Sequence, residues 1–249
     1  MMDSADGSGP QLWLVRHGES TWNVLGLAQG HDDQAQLTRR GLAQARAVAG
    51  ELGGYPIGAL YASDLRRARQ TAAPVAAALG LRVRCDVRLR ERCLGVLEGS
   101  AAAAVSPAAS GLDGQRVADA DARPEGGESL RDFYRRVSGF ADELSIPGLA
   151  AASRSAAATG PGFASGVAPG FASGFASGSG GPDIAVVAHG GTLRMLSARL
   201  TATPVEEMRW EPLGNCCILR FPAARLTPAA ARPAPALKTA ALKTAAMNR

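Results

Sequence analysis

Only three histidines occur in the 249 residues, His17, His31 and His189, and two of them share a context. His17 follows the apolar run QLWLV and Arg16 and precedes Gly18; His189 follows IAVVA and precedes Gly190 and Gly191. A short continuous apolar run reads as a buried strand and a following glycine as a turn, so both imidazoles are expected at strand ends. In an open α/β sheet, ligands gather at the carboxyl ends of the strands. One such histidine alone reads as a packed or capping residue; two in the same context point to a site. The neighbours suit phosphate chemistry. Arg16 offers a planar fork of donors matching a phosphoryl group. The segment SDLRRARQTA places Arg66, Arg67 and Arg69 at the start of a helix, where free N–H groups and the dipole also favour anions. For Arg66 and Arg69 a solvated face is the plainer reading.

The elements that must position these residues alternate. Strands are expected at 11–16, 57–62, 81–87, 184–188 and 216–221. Helices are expected from a Thr38 cap to Leu52, from a Ser63 cap to Leu79 with Pro74 as a kink, over 130–144, and over 192–200. The 130–144 segment carries Leu130, Phe133, Val137, Phe140 and Leu144 at helical spacing. Strands alternating with helices indicate an α/β fold: a mostly parallel central sheet with helices on both faces, in three α/β/α layers.

Residues 1–10 read as a flexible N-terminus and 11–222 as a single domain. That domain is interrupted at 150–182 by a Gly/Ala/Ser/Phe tract with repeated GFASG, at Gly162–Gly166 and Gly170–Gly174. Such a composition buries too little apolar area to offset its ordering entropy, so a surface insertion is expected. Residues 223–249 form an Ala/Pro-rich tail.

The motifs LVRHGESTWN, SDLRRARQTA, LRERCLGVLEG, PEGGES and VVAHGGTLR, in this order, resemble the histidine phosphatase superfamily, also called the phosphoglycerate mutase-like family. RHG alone is short; five ordered motifs are specific. The resemblance implies His17 as a nucleophile that becomes phosphohistidine. It implies Arg16, Asn23, Arg67, His189 and Gly190 around the phosphoryl oxygens, and Glu91 as the acid that protonates the leaving oxygen. It implies no metal and no cofactor. Elementary chemistry agrees: neighbouring arginines disfavour protonation of the imidazole, and positive groups around the equatorial oxygens stabilise the transition state. Glu19 is a rival acid, because it sits beside the nucleophile; its plainer role is to orient backbone or Arg16.

Mutases of this family generally carry a Phe-Thr-Gly-Trp-like stretch after the first motif and a long lysine-containing segment after ERxxG. This chain has LAQGHDDQAQLT in the first place and a short Ala-rich, lysine-free segment in the second. PEGGES, SDLRR and GNCC resemble the phosphatase branch. A phosphomonoesterase acting on a small phosphorylated metabolite is therefore expected, with mutase-type transfer or a non-catalytic phospho-ligand-binding module as the alternatives. The net charge of +5 comes from scattered arginines without interleaved aromatics, which argues against nucleic acid. Cys85, Cys93, Cys216 and Cys217 lack metal-ligand spacing and read as reduced thiols. With no apolar run near membrane-span length and no basic or apolar leader in MMDSADGSGP, no membrane association and a cytoplasmic location are expected. The oligomeric state stays open, a homodimer being one of the states allowed.

Overall fold

The computed structural model describes residues 9–102, 105, 111–113, 115–144 and 181–227. Strands β1 (Gln11–Arg16), β2 (Ile57–Ala62), β3 (Val83–Cys85), β6 (Asp183–Ala188) and β7 (Ile218–Pro222) form one sheet in the order β3-β2-β6-β1-β7. Every neighbouring pair is parallel except β1 with β7, which is antiparallel at the edge. A separate hairpin pairs β4 (Leu112–Asp113) with β5 (Arg116–Val117). The helices are α1 (Thr21–Leu25), α2 (Arg39–Leu52), α3 (Arg66–Leu79), α4 (Leu130–Leu144) and α5 (Gly190–Thr201).

Side-chain alternation along the two central strands divides the core. Leu12, Leu14, Ile184, Val186 and Ala188 face α4 and α5, where Phe133, Val137, Phe140, Leu193 and Leu196 meet them. Trp13, Val15, Ala185 and Val187 point to the other side, against Val48, Leu52, Ala68 and Val75 of α2 and α3. Helices thus cover both faces of a mostly parallel sheet, as the alternating pattern requires. The five apolar positions read along 130–144 are all buried.

Several local expectations change. Thr38 caps α2 as expected, its hydroxyl accepting the Gly41 N–H at 3.0 Å. Ser63 does not cap α3: Leu65 holds the N-cap position, and the Ser63 hydroxyl is engaged by His189 instead. The third strand is only three residues long, because Asp86 caps a 3₁₀ turn over Val87–Leu89. Helix α5 starts at Gly190 rather than Thr192, with His189 as its N-cap. Pro74 lies inside a continuous α3. The core also extends past 222: a 3₁₀ turn over Ala223–Leu226 buries Leu226 against it. The GFASG repeats and the rest of the C-terminal tail lie outside the described residues.

Candidate active site

The topology decides where the histidines go. β1 and β6 are adjacent and parallel, with Arg16 in register with Ala188, so His17 and His189 leave the same edge of the sheet side by side. Their rings lie 5.2 Å apart, edge to face. Gly18 is required here, since a Cβ on it would lie 2.5 Å from the Gly41 carbonyl oxygen at the start of α2.

Hydrogen bonds fix the tautomers. The Nδ1–H of buried His17 donates to the Gly18 carbonyl at 2.8 Å, which leaves the Nε2 lone pair unengaged. Burial, then the charges of Arg67 and Arg16, hold its pKa well below the ordinary imidazole value. The ring is therefore neutral at pH 7, with a lone pair on Nε2. His189 is arranged the opposite way. Its Nδ1 accepts from Arg67 Nε at 3.2 Å, so its Nε2–H donates to the Ser63 hydroxyl at 2.9 Å. Burial, then Arg67, keeps His189 neutral too.

Arg67 is fully buried. Nη1 and Nη2 donate to the carbonyls of Asp32 and Gly30 at 2.7 and 2.8 Å. With Nε on His189, three of its roughly five N–H groups are held by protein and two remain for a ligand. Burial lowers its pKa to about 10, so it stays charged. Arg66 and Arg69 are exposed, in keeping with a solvated face. Arg16 Nη1 donates to the Leu213 carbonyl, while its buried Nε has no hydrogen-bond partner. An orphaned buried donor of this kind suits an incoming anion.

Glu91 enters from the ERCLG loop. Its Oε1 accepts the Arg92 N–H and its Oε2 the Gly191 N–H, both at 2.8 Å. A Cβ on Gly191 would fall 2.1 Å from Glu91 Oε1, so only glycine lets the carboxylate approach α5. The Glu91 carbonyl is held in turn by His31 Nε2–H at 2.8 Å and Arg136 Nη2 at 2.9 Å, and Arg136 pairs with Glu128 of PEGGES at 2.7 Å. His31 and Arg136 were not singled out by the sequence. Neither lies in a motif whose spacing marks it, and only the folded loop brings them to Glu91.

Arg16, His17, Arg67, Glu91 and Gly190 line one cavity of about 770 Å³. Arg194 also lines it, stacked on Trp210 with its guanidinium 4.8 Å from the ring centre. It was missed although it closes the VVAHGGTLR motif; its place one turn into α5 beyond His189 was the available signal. Two candidates are placed elsewhere. Asn23 is the third residue of a capping box on α1, its Oδ1 accepting from the Ser20 N–H at 3.0 Å and from Asn215 Nδ2 at 3.1 Å, and it does not line the cavity. Glu19 accepts from the Thr38 hydroxyl at 2.8 Å and pairs with Arg40 at 3.5 Å, so it braces the start of α2 and not Arg16. His189 stands beside the cavity with both nitrogens already bonded.

The sequence profile of the histidine phosphatase superfamily, branch 1, matches residues 12–146 and 168–231. The chain belongs to this superfamily. Among solved structures, the mycobacterial glucosyl-3-phosphoglycerate phosphatase in complex with VO3 is 32% identical, with TM-score 0.63, over 85% of this chain and 92% of that one. The α-ribazole phosphatase of Shigella flexneri is 27% identical, with TM-score 0.60, over 84% and 89%. The "Probable phosphoglycerate mutase GpmB" of Yersinia pestis is 37% identical over 146 residues, 55% of this chain. The match spans 64% of that relative's length. Among the described residues, no helix is long and apolar enough to cross a membrane.

Proposed function

We propose that this superfamily member is a phosphomonoesterase that cleaves a small phosphorylated metabolite through a phosphohistidine on His17. The observation that carries the reading is the neutral, buried His17, whose Nδ1–H is tied to the Gly18 carbonyl and whose Nε2 is unengaged in a cavity lined by Arg16, Arg67 and Glu91. Nε2 attacks phosphorus and the P–O bond to the alcohol breaks. Arg16 and the two remaining N–H groups of Arg67 take the charge of the equatorial oxygens. Gly190, opening α5, adds the positive end of the helix dipole. Glu91 in its protonated form gives its proton to the departing alkoxide. The resulting carboxylate then takes a proton from water as the water attacks the phosphohistidine, which releases phosphate and restores both groups. His189 acts by holding Arg67, and Asn23 through Asn215, whose Nδ2 donates to the His17 carbonyl at 3.2 Å.

The phosphatase names of the solved neighbours support hydrolysis, whereas the name of the curated relative favours the second reading, transfer between two positions of one substrate. The test is a phosphomonoester panel assayed with and without a bisphosphorylated primer. Release of inorganic phosphate without primer, with an acid-labile phosphoenzyme that disappears in His17→Ala, is the expected outcome. Primer-dependent isomerisation without phosphate release would establish the mutase reading.

A further inference from the structure

The proposed chemistry leaves Arg194 without a role, although it lines the same cavity as Arg16, Arg67 and Glu91. It stands four residues after Gly190 on α5, and helical side chains lean toward the N-terminus, so its guanidinium reaches back over Gly190. The missing side chain makes room there. A Cβ on Gly190 would lie 3.1 Å from Arg194 Nη1 and 3.5 Å from Arg16 Nε. Two guanidinium groups thus flank one point at the start of α5.

Only neutral groups hold these two charges. Arg194 Nε donates to the Glu211 carbonyl at 3.0 Å and Nη2 donates to the same oxygen, while the guanidinium lies over the Trp210 ring. Arg16 Nη1 donates to the Leu213 carbonyl. The 210–213 segment that supplies these partners is itself tied to the β4–β5 hairpin, the Trp210 N–H donating to the Gln115 carbonyl at 2.7 Å. Among the described residues, neither arginine has a carboxylate within ion-pair distance, and Arg194 Nη1 has no hydrogen-bond partner. Arg16 Nε is buried with none either. Burial lowers the pKa of both, Glu91 opposes this, and Arg16 adds to it at Arg194. A guanidinium stays charged regardless, so the two like charges repel until an anion sits between them.

Resting on the phosphatase reading, we infer that Arg194 is a further substrate-binding residue, whose Nη1 holds a phosphoryl oxygen beside Arg16 Nε. With Nε and Nη2 fixed on Glu211 and its face on Trp210, the fork presents Nη1 in one place. The contact is to the phosphoryl group and not to the alcohol half.

The experiment measures the affinity for inorganic phosphate by calorimetry, and kcat/KM for benzyl phosphate and glycerol 3-phosphate, which differ only in the alcohol. Arg194→Gln keeps an amide N–H donor and loses the charge. Its phosphate affinity should fall roughly 10- to 100-fold, and kcat/KM should fall by a similar factor for both esters. Arg194→Lys, which keeps the charge without the fork, should recover part of both losses. Should the glutamine variant not fold, Arg194→Met takes its place with the same expectation. Unchanged phosphate affinity, a loss confined to one ester, or equal losses in the lysine and uncharged variants overturns the inference. The phosphatase reading survives each of these results, provided the unaltered protein releases phosphate through a phosphoenzyme. No phosphate release and no phosphoenzyme with either ester would overturn that reading instead, with the phosphate affinities still deciding the role of Arg194.

Discussion

A carboxyl group can act as the acid only if it reaches the leaving oxygen, and geometry separates the two rivals where their chemistry does not. Glu91 lines the cavity; Glu19 is bonded to Thr38 and Arg40 outside it. Glu91→Gln should slow alkyl phosphates by roughly 100- to 10,000-fold and para-nitrophenyl phosphate much less, since nitrophenolate leaves without a proton. Glu19→Gln should slow both only a little and equally; a leaving-group dependence in that variant would move the acid there. The two buried histidines carry a second prediction. Both have native pKa values well below the unfolded value of about 6.5. Below that pH the unfolded chain binds protons that the native chain refuses, so stability falls with falling pH until the native pKa is reached, whereas above about 6.5 nothing changes. Each contributes a slope of about 1.4 kcal/mol per pH unit within that window. Urea melts at pH 7.5 and 5.5 should show His17→Gln losing part of the acid sensitivity of the unaltered protein. An unchanged pH dependence would count against a depressed native pKa.

At the scale of elements, what could be read from sequence was whatever depends on periodicity or on an ordered motif. The strand ends that carry His17 and His189 follow from apolar runs, and the burial of α4 from its repeat of Leu130, Phe133, Val137 and Phe140. Elements that arise from a cap or a long-range contact left no such mark. Helix α1 is five residues long and rests on the Ser20–Asn23 capping box; the shortening of β3 rests on Asp86. Asn23 and Ser63 have residue types suited to either role, capping or binding, and only the fold assigns them. Gly191 links element to chemistry, because it allows α5 and the ERCLG loop to share the Glu91 carboxylate. Gly191→Ala should push Glu91 out of place and reproduce the leaving-group signature of Glu91→Gln, while circular dichroism stays native-like. Equal losses for alkyl and nitrophenyl esters would show instead that the added methyl disturbs His17 or its arginines.

At the scale of the molecule, the path from α4 to β6 runs through 145–180, and the family profile leaves 147–167 unmatched. The sheet and the five-motif site need only that α4 be connected to β6. Pro182 must stay, since it packs on Gly58, where a Cβ would come within 2.6 Å of it. Asp183 must stay too: its carboxylate accepts from the Gln11 N–H and from Trp13 Nε1, each at 2.8 Å. A cut at 150–180 replaced by a four-residue Gly/Ser linker respects both. It shortens the connection about fourfold, and the loop-closure gain, at about 0.6 kcal/mol per halving, is only about 1.2 kcal/mol. Because the removed residues are mostly Gly, Ala and Ser, little core is lost with them. The shortened protein should therefore melt within a few degrees of the full chain, at equal or slightly higher temperature. Its kcat/KM on benzyl phosphate should be unchanged within about twofold. A fall in melting temperature of ten degrees or more would mean that the tract's phenylalanines, Phe163, Phe171 and Phe175, pack on the domain. A selective rise in KM at unchanged stability would mean that the tract contributes to substrate binding.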